Sequence, residues 1–297
     1  MKRKVAVVVC LALSVANHPA TAVRAELGRS TATPPDFDHV VVLVLENKEY
    51  EQIIGSVQAP YINSLADDGA LATRFYAIRH PSLPNYLALI GGSTFGVTTD
   101  CTSCHVGGRN LIDQLEAAGI SWKGYMGGMP HACFRASGEG LYAKRHDPFM
   151  YFSNIYNNPD RCHRVQPIEN MLTDIRNDRL PQYSFVSPDL CKDMHDCSVR
   201  AGDRYLSRLV PRVIGALGAN GVLFLTFDEG SSDAGCCRFA HGGHIATVVA
   251  GPAVASPSRR PMPYDLYSIL RTIEEAWGLP LLRKAGCSCT EPMTALF

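Results

Sequence analysis

The stretch "HVVVLVLE", residues 39 to 46, decides how the rest of the chain is interpreted. Six consecutive apolar residues, four of them valine, stand between a histidine and an acid. A run of this kind without polar alternation is typical of a strand buried on both faces, as in a parallel sheet. The sequence therefore predicts a parallel strand whose carboxyl end presents Glu46 and Asn47.

Strand and helix patterns alternate on both sides of this stretch. Further apolar runs predict strands at residues 71–78, 120–126, 182–188, 221–230 and 244–252. Helical spacing of apolar residues predicts helices at residues 59–70, 109–119, 201–218 and 264–278. Alternation of this kind indicates an α/β fold, a three-layer α/β/α sandwich with a mainly parallel central sheet.

The first residues have the composition of a secretory signal. "MKRK" is followed by the apolar "VAVVVCLALSVA" and by "ATA" at residues 20–22, with "VRA" ending at Ala25 as a second cleavage pattern. Roughly twelve apolar residues are too few against the ~20 that span a bilayer. We expect residues 1–25 to be a cleaved signal peptide and the protein to be secreted or periplasmic. Residues 26–297 then form a single domain, with a loop-rich insertion near 127–180.

Cysteine usage agrees with export. Removal of Cys10 with the signal leaves ten cysteines, an even number that favours disulfides in an exported chain. A metal cluster is the alternative, because "CTSC" and "CSC" are closely spaced. Cys191 and Cys197 bracket a short loop and could pair locally.

The charge balance excludes one class of partner. The chain carries 28 acidic and 28 basic residues, so its formal net charge is zero. It lacks the basic patch or stripe of a nucleic-acid-binding protein. We therefore expect no nucleic-acid partner.

Polar residues gather where the predicted strands end. Ligands in open α/β sheets bind beyond the carboxyl ends of the strands. The residues at these ends are Glu46, Asn47, His80, Ser82, Asp189, Asp228 and Glu229. Each has a plain structural alternative, such as a helix cap, an acidic turn or, for His146 and His195, a loop histidine. Their joint placement at one sheet edge favours a functional site.

The residue types suit phosphoryl chemistry. Glu46, Asn47, Asp228 and Glu229 are hard oxygen donors for a divalent cation. A cation beside Ser82 would stabilise its alkoxide and make it a nucleophile. Backbone N–H groups at the start of the following helix could hold a phosphate. Asn85 follows Ser82 by one turn and could face the same oxygens. Histidines could neutralise phosphoryl oxygens or protonate a leaving alkoxide.

Seven motifs together carry a family resemblance. They are "VLVLENKEYEQIIG", "APYINSLADDG", "HPSLPNYLALIGG", "KRHDPFMYF", "SPDLCKDMHD", "TFDEG" and "HIATVVAGP". Over roughly residues 38–280 the chain resembles the phosphoesterase family of secreted acid phosphatases and phospholipases C, within the alkaline phosphatase superfamily. The resemblance implies an alkaline phosphatase-like fold.

The resemblance also implies roles by position. Ser82 matches the nucleophile, and Asn85 matches a residue that binds phosphate oxygens. Histidines of the phosphate pocket match His146, His195 and His244, with His241 as a rival for the last. His80 and Lys144 are further substrate-binding candidates. The implied metal ligands are Glu46, Asn47, Ser82, Asp228 and Glu229.

These observations predict a secreted metal-dependent phosphoesterase. It would hydrolyse small phosphomonoesters through a phosphoserine intermediate, with Mg, Ca, Mn, Fe or Zn as the cofactor. The alternative is a phospholipase C that cleaves phospholipid phosphodiesters, which would require membrane contact and an exposed apolar rim. A further alternative is a secreted binding protein without catalysis. The oligomeric state is not encoded in any of these patterns.

Overall fold

The computed structural model describes residue 2 and residues 33–297. The predicted signal peptide, residues 1–25, and Cys10 lie outside the described residues. Within the described residues, eight strands form one sheet and two form a small hairpin. In chain order the strands are β1 Val40–Leu45, β2 Ala70–Tyr76, β3 Trp122–Met126, β4 Gly138–Glu139, β5 Tyr142–Ala143, β6 Val165–Pro167, β7 Tyr183–Ser187, β8 Val222–Phe227, β9 His244–Ala250 and β10 Ser258–Asp265.

The eight-stranded sheet has the order β10-β2-β9-β8-β1-β7-β3-β6. Strand β9 runs antiparallel to its neighbours β2 and β8, whereas the other paired strands are parallel. Every residue of β1 is buried, as the uninterrupted apolar run predicts for a central strand covered on both faces. The predicted mainly parallel sheet is therefore confirmed.

Helices cover the sheet in two groups. They are α1 Tyr50–Ile53, α2 Pro60–Asp68, α3 Ser82–Gly91, α4 Leu111–Ala117, α5 Ser153–Tyr156, α6 Pro159–Cys162, α7 Glu169–Arg176, α8 Val199–Ile214 and α9 Leu266–Ala276. In one group α8 contacts α2 and α7, and in the other α3 contacts α4 and α9. The fold is the predicted three-layer α/β/α sandwich.

The stretch between β3 and β7 holds mostly short elements. It contains the β4–β5 hairpin, α5, α6, α7 and two 3₁₀ turns at Lys144–His146 and Pro148–Tyr151. Its weak sequence periodicity reflects elements of two to eight residues, too short to show a clear repeat. One of these turns carries His146 to the site described below.

All ten cysteines of the described chain are paired, which confirms the expectation of disulfides. Cys191 pairs with Cys197, as their spacing predicts. The other bridges are Cys101–Cys104, Cys133–Cys162, Cys236–Cys237 and Cys287–Cys289. Among residues 33–297, no helix combines the length and apolar character that crossing a membrane requires.

Candidate active site

The carboxyl ends of three neighbouring strands bring the acidic residues together. Strands β7, β1 and β8 are adjacent in the sheet, and each is followed directly by a polar segment. The backbone N–H of Glu46 donates to Asp193 O at 2.9 Å, and that of Asp228 donates to Leu45 O at 2.9 Å. These bonds continue the sheet beyond the strands and hold the acids side by side.

Ser82 lies among these acids as the first residue of α3. Its side chain is buried, with 2% of the residue exposed. Its hydroxyl lies 3.3 Å from Glu46 Oε2 and 3.2 Å from Glu229 Oε1, within hydrogen-bond distance of both. Pro81 occupies the N-cap position, so Ser82 is not the N-cap residue of α3. The hydroxyl is directed to carboxylates, as a nucleophile beside charged groups would be.

The side chain of Asn85 binds the backbone of the loop before Ser82, whereas the sequence predicts that it binds phosphate oxygens. Its Oδ1 accepts from the backbone N–H groups of Ile78 and Arg79, at 3.0 and 3.1 Å. Its Nδ2 donates to Arg79 O at 2.6 Å and to Pro81 O at 3.2 Å. With its amide occupied by the loop that precedes Ser82, Asn85 positions that loop. The structure leaves it no donor directed at a phosphate.

Four buried carboxyl groups perturb one another at this edge. Burial raises the pKa of Glu46, and the charges of Asp228 and Asp193 raise it further. Burial and the charge of Glu229 raise the pKa of Asp228. Burial raises the pKa of Asp193 to about 8 and also raises that of Glu229. A cation among these groups would stabilise their charged forms and reverse the shifts.

The donor set fits a divalent cation. As assigned, the amide oxygen of Asn47 lies 3.1 Å from Asp228 Oδ1 and 3.2 Å from Glu46 Oε2. Three oxygens with no proton between them repel one another, unless a cation lies among them or the amide is rotated to present its NH₂ group. The second oxygen of Asp228 is buried without a hydrogen-bond partner. An oxygen-rich site of this kind is the donor chemistry of Mg²⁺, Ca²⁺ and Mn²⁺.

His146 joins the cluster from the opposite side of Glu46. Its Nε2 lies 3.1 Å from Glu46 Oε2, and its Nδ1 lies 3.5 Å from Asp193 Oδ2. Ligand atoms of these three residues lie within 4.8 Å of one another, so they could also hold a metal ion. Burial lowers the pKa of His146, and the charges of Arg145 and His195 lower it further. These effects favour the neutral imidazole, the form that binds metals.

Ser82 opens into a cavity of about 310 Å³. Arg145, His195, Asp100 and Glu229 line it together with Asn47, Pro81, Thr102 and Ser137. An arginine Nη2 and a histidine Nε2, from Arg145 and His195, lie 3.3 Å apart. The Nδ1 atom of His195 is 2.6 Å from Asp196 Oδ1, and its Nε2 accepts from Arg145 Nη2, so a substrate that draws Arg145 away frees Nε2 for proton exchange. The cavity thus combines the Ser82 hydroxyl with a guanidinium and an imidazole.

Four of the predicted histidine and lysine candidates, His244, His241, Lys144 and His80, lie outside this cavity wall. His244 stacks on the rings of Tyr50 and Tyr76, with centroids 4.5 and 5.0 Å away, and its Nε2 lies 3.0 Å from Thr73 O. The rival His241 lines a different cavity.

Lys144 donates to Thr102 O at 3.0 Å and lies over the Tyr151 ring. His80 contacts Glu229 Oε2 through its Nδ1 and so touches the site from outside the wall. Burial opposes the charged form of His80, but its hydrogen bonds to Ser232 O and to Glu229 raise its pKa.

Sequence reasoning missed several residues of the site, including Asp100, Thr102 and Ser137 of the cavity wall, and three others that stand within the quoted motifs. Arg145 lies between the two predicted residues of "KRH" and is the basic residue of the three that lines the cavity with His195. Asp193 belongs to the quoted "KDMHD" motif, where only His195 was singled out. Tyr86 follows Ser82 by one helical turn and donates its hydroxyl to Glu46 Oε1. Arg145, Asp193 and Tyr86 all stand within the motifs quoted above. Their place in those motifs, rather than their residue type, could have identified them as site residues.

Comparison with known proteins gives matches along most of the chain. A sequence profile of the phosphoesterase family matches residues 56–280. A phosphatidylinositol-3-phosphatase of Mycobacterium tuberculosis is 36% identical over 275 residues, which are 90% of this chain and 85% of the relative. A probable acid phosphatase of Kluyveromyces lactis is 29% identical over 83% of this chain, and a phosphate-repressible acid phosphatase of Penicillium chrysogenum is 28% identical over 84%. The chain spans 59% and 61% of the lengths of these two fungal relatives.

Solved structures share the fold at low sequence identity. A protein of the alkaline phosphatase superfamily from Vibrio parahaemolyticus aligns with a TM-score of 0.57 and 14% identity, over 87% of this chain and 72% of that one. Murine ectonucleotide pyrophosphatase/phosphodiesterase 5 aligns with a TM-score of 0.55 and 10% identity, over 82% of this chain and 96% of that one. The architecture is that of the alkaline phosphatase superfamily.

Proposed function

The chain belongs to the phosphoesterase family of phosphoric ester hydrolases, and on that premise we propose that it is an exported, metal-dependent phosphomonoesterase that acts through a phosphoserine intermediate. One observation carries the proposal. The Ser82 hydroxyl lies within 3.3 Å of two buried carboxylates and lines a cavity together with Arg145 and His195. Export rests on the signal pattern of residues 1–25 alone.

The residues that would hold the metal are Glu46, Asn47, Ser82, Asp228 and Glu229. Asn47 is in the left-handed region, with a φ of 50°, a conformation that asparagine tolerates better than most residues. Its backbone N–H donates to Asp228 Oδ1 at 3.1 Å, which fixes the two side chains relative to each other. The bound cation would lower the pKa of the Ser82 hydroxyl and offset the charge of the carboxylates.

In the first half of the reaction, Ser82 Oγ attacks phosphorus in line with the leaving oxygen. The bond from phosphorus to the leaving oxygen breaks as the bond to Oγ forms, and the Ser82 proton is lost to solvent. Arg145 donates to the phosphoryl oxygens, and His195 Nε2 supplies the proton that the leaving alkoxide takes up.

In the second half, water attacks the phosphoserine. His195 Nε2, now without its proton, accepts one from the water, and Ser82 Oγ leaves phosphorus and regains a proton from solvent. Asp196 keeps the imidazole oriented through its 2.6 Å contact with Nδ1. The free enzyme and inorganic phosphate result, and positioning with electrostatics provides most of the rate.

The cavity wall favours a phosphomonoester over a phospholipid diester. Pro81 is the one apolar residue in a wall that otherwise carries polar or charged side chains. A phospholipase C needs an apolar rim for the lipid, and this wall does not provide one. A phosphomonoester on a lipid headgroup is compatible with the wall, because the headgroup is itself polar.

The proposal is tested with p-nitrophenyl phosphate and p-nitrophenyl phosphorylcholine between pH 4 and pH 9, with and without a chelator. We expect turnover of the monoester in preference to the choline diester, loss of activity with chelator, and recovery on adding back Mg²⁺, Ca²⁺ or Mn²⁺. A brief acid quench should trap a phosphoserine at Ser82, detected by peptide mass spectrometry. Faster turnover of the diester would favour the phospholipase reading, and no turnover with any metal would refute the enzyme proposal.

A further inference from the structure

A second cavity, of about 390 Å³, lies beside the active site and carries basic groups that the mechanism does not use. Its wall includes Arg79, His80, Asp233, Phe239, His241 and Lys284. Two of these side chains are permanent or near-permanent cations and two are histidines, against a single acid. The cavity is therefore a candidate site for an anion.

The two cavities share one segment of chain. Arg79 and His80 line the second cavity, and the next two residues, Pro81 and Ser82, line the first. His80 also contacts Glu229, which belongs to the wall of the first cavity. Ser82 is three positions after Arg79, so their Cα atoms are at most about 11 Å apart. The two cavities therefore lie next to each other along one segment of the chain.

The cations of the second cavity lack ionic partners. Among residues 33–297, neither Arg79 nor Lys284 forms an ion pair with a carboxylate. The Arg79 side chain donates one long hydrogen bond, of 3.4 Å, from Nε to His80 O. The ammonium of Lys284 lies 4.8 Å from the ring centroid of Phe239 and 5.5 Å from that of Tyr267.

Burial lowers the pKa of Lys284, and the charge of Arg79 lowers it further, although Asp265 opposes both. Two cations that repel each other in a partly buried wall are stabilised by an anion placed between them. One oxygen of Asp265 is already engaged, because Oδ1 caps α9 by accepting from Tyr267 N at 2.9 Å and from Ser268 N at 3.3 Å.

We propose that the second cavity binds a second phosphate group, carried by the leaving group of the substrate whose scissile phosphate lies at Ser82. This inference rests on the proposed function and names its substrate class, a bis-phosphorylated molecule. The second phosphate belongs either to a soluble bisphosphate or to the headgroup of a phosphorylated inositol lipid. Arginine is suited to this role because its planar fork matches two phosphate oxygens.

Kinetics with paired substrates test the subsite. The variants are Arg79→Met and Lys284→Met, singly and together, and the matched control is Arg204→Met with Arg212→Met on the exposed side of α8. The substrates are fructose 1,6-bisphosphate, phosphatidylinositol 3-phosphate in phosphatidylcholine vesicles, and p-nitrophenyl phosphate. We expect the KM for one bis-phosphorylated substrate, divided by that for p-nitrophenyl phosphate, to rise roughly tenfold in each single variant. The control should not change this ratio.

A binding measurement makes the test independent of catalysis. Calorimetry on the unmodified protein should show butane-1,4-bisphosphonate binding more tightly than butylphosphonate, and the double variant should lose this preference. If the KM ratio to p-nitrophenyl phosphate rises only for fructose 1,6-bisphosphate, the substrate is a soluble bisphosphate. If it rises only for phosphatidylinositol 3-phosphate in vesicles, the substrate is a lipid headgroup. Unchanged ratios with both substrates, or equal binding of the two phosphonates to the unmodified protein, would overturn the subsite. Failure to hydrolyse p-nitrophenyl phosphate would instead count against the proposed function.

Discussion

Ser82 is positioned by the side chains around it. Asn85 binds the backbone of Ile78, Arg79 and Pro81, the residues leading into the serine. Asp100 Oδ1 accepts from the N–H of Leu83, the residue after it, at 2.9 Å. The loop is therefore tied on both sides of Ser82. Because Asp100 occupies that N–H, this part of the helix N-terminus is not free to bind phosphate, contrary to expectation.

Replacing Ser82 by alanine should abolish the reaction and leave the fold intact. We expect Ser82→Ala to lower kcat for p-nitrophenyl phosphate by about 10³-fold or more, because no other described hydroxyl lies between the two carboxylates. The unfolding midpoint should change little. Ser207→Ala, on the exposed surface of α8, is the matched control and should keep full activity. A Ser82→Ala enzyme with most of its activity would exclude this residue as the nucleophile.

Asn85→Asp separates a positioning role from a phosphate-binding role. The carboxylate keeps the acceptor for the N–H groups of Ile78 and Arg79 but opposes the carbonyls of Arg79 and Pro81. We expect the free energy of unfolding to fall by about 2–4 kcal/mol, because a buried donor is replaced by a charged acceptor. Urea unfolding followed by circular dichroism measures this. A variant of unchanged stability whose only defect is a raised KM would restore the predicted role in phosphate binding.

The sequence predicts where the candidate site lies better than it predicts which side chains form it. Glu46, Asp228 and Glu229 were predictable because strand ends of a parallel sheet meet at one edge. Which of Lys144 and Arg145 faces the cavity could not be predicted from the sequence, because both lie in one 3₁₀ turn. The direction of each side chain is decided by packing, such as that of Lys144 against Thr102 and Tyr151. His244 shows the same limit, since its ring is held between two tyrosines by tertiary contacts.

At the scale of elements, the long apolar strands and amphipathic helices were predictable, whereas β10 was not. Its sequence, "SRRPMPYD", contains two prolines and two exposed arginines and resembles a loop. The structure places β10 at the edge of the sheet, where proline is tolerated because an N–H on the free side needs no partner. A register shift between Arg260 and Pro263 accompanies these prolines. Edge position is a property of the assembled sheet, which the local sequence does not contain.

Helix α9 carries a buried acid that should make stability depend on pH. Glu274 accepts from Leu282 N at 3.0 and 3.2 Å through its two oxygens. Burial raises its pKa from 4.5 to about 8. The folded chain therefore keeps a proton that the unfolded chain loses at lower pH. The contribution of this group is full below pH 4.5 and is lost as the pH rises through about 8.

Glu274→Gln should remove this dependence. We expect the decline in unfolding free energy between pH 5 and pH 8 to become smaller by an amount on the order of a few kcal/mol, because glutamine is neutral throughout. Urea titrations at several pH values measure the effect. Glu275→Gln, which alters the adjacent surface residue paired with Arg271, serves as the comparison. Equal pH slopes in Glu274→Gln and the unmodified protein would show that Glu274 does not titrate in this window.

At the scale of the whole molecule, one disulfide should contribute more to stability than the others. Cys133 and Cys162 are 29 residues apart, whereas the other bridges join cysteines one to six residues apart. Loop-closure entropy gives about 3.6 kcal/mol for the longest bridge and about 1 kcal/mol for Cys287–Cys289. The double variant Cys133→Ala/Cys162→Ala should therefore lower the unfolding free energy by about 2.4 kcal/mol more than the double variant Cys287→Ala/Cys289→Ala does. Equal losses in the two variants, measured by denaturant unfolding, would contradict this.

The order of the bridges along the chain has a consequence for biogenesis. From Cys101 to Cys289, every cysteine is bonded to its immediate neighbour among the cysteines, so the five bridges never interleave. A polypeptide that is oxidised while it emerges from a translocation pore, amino end first, meets each correct partner before the next thiol arrives. Under the export proposed above, threading through the pore would be enough to set the pairing, and no isomerase would be needed to correct it.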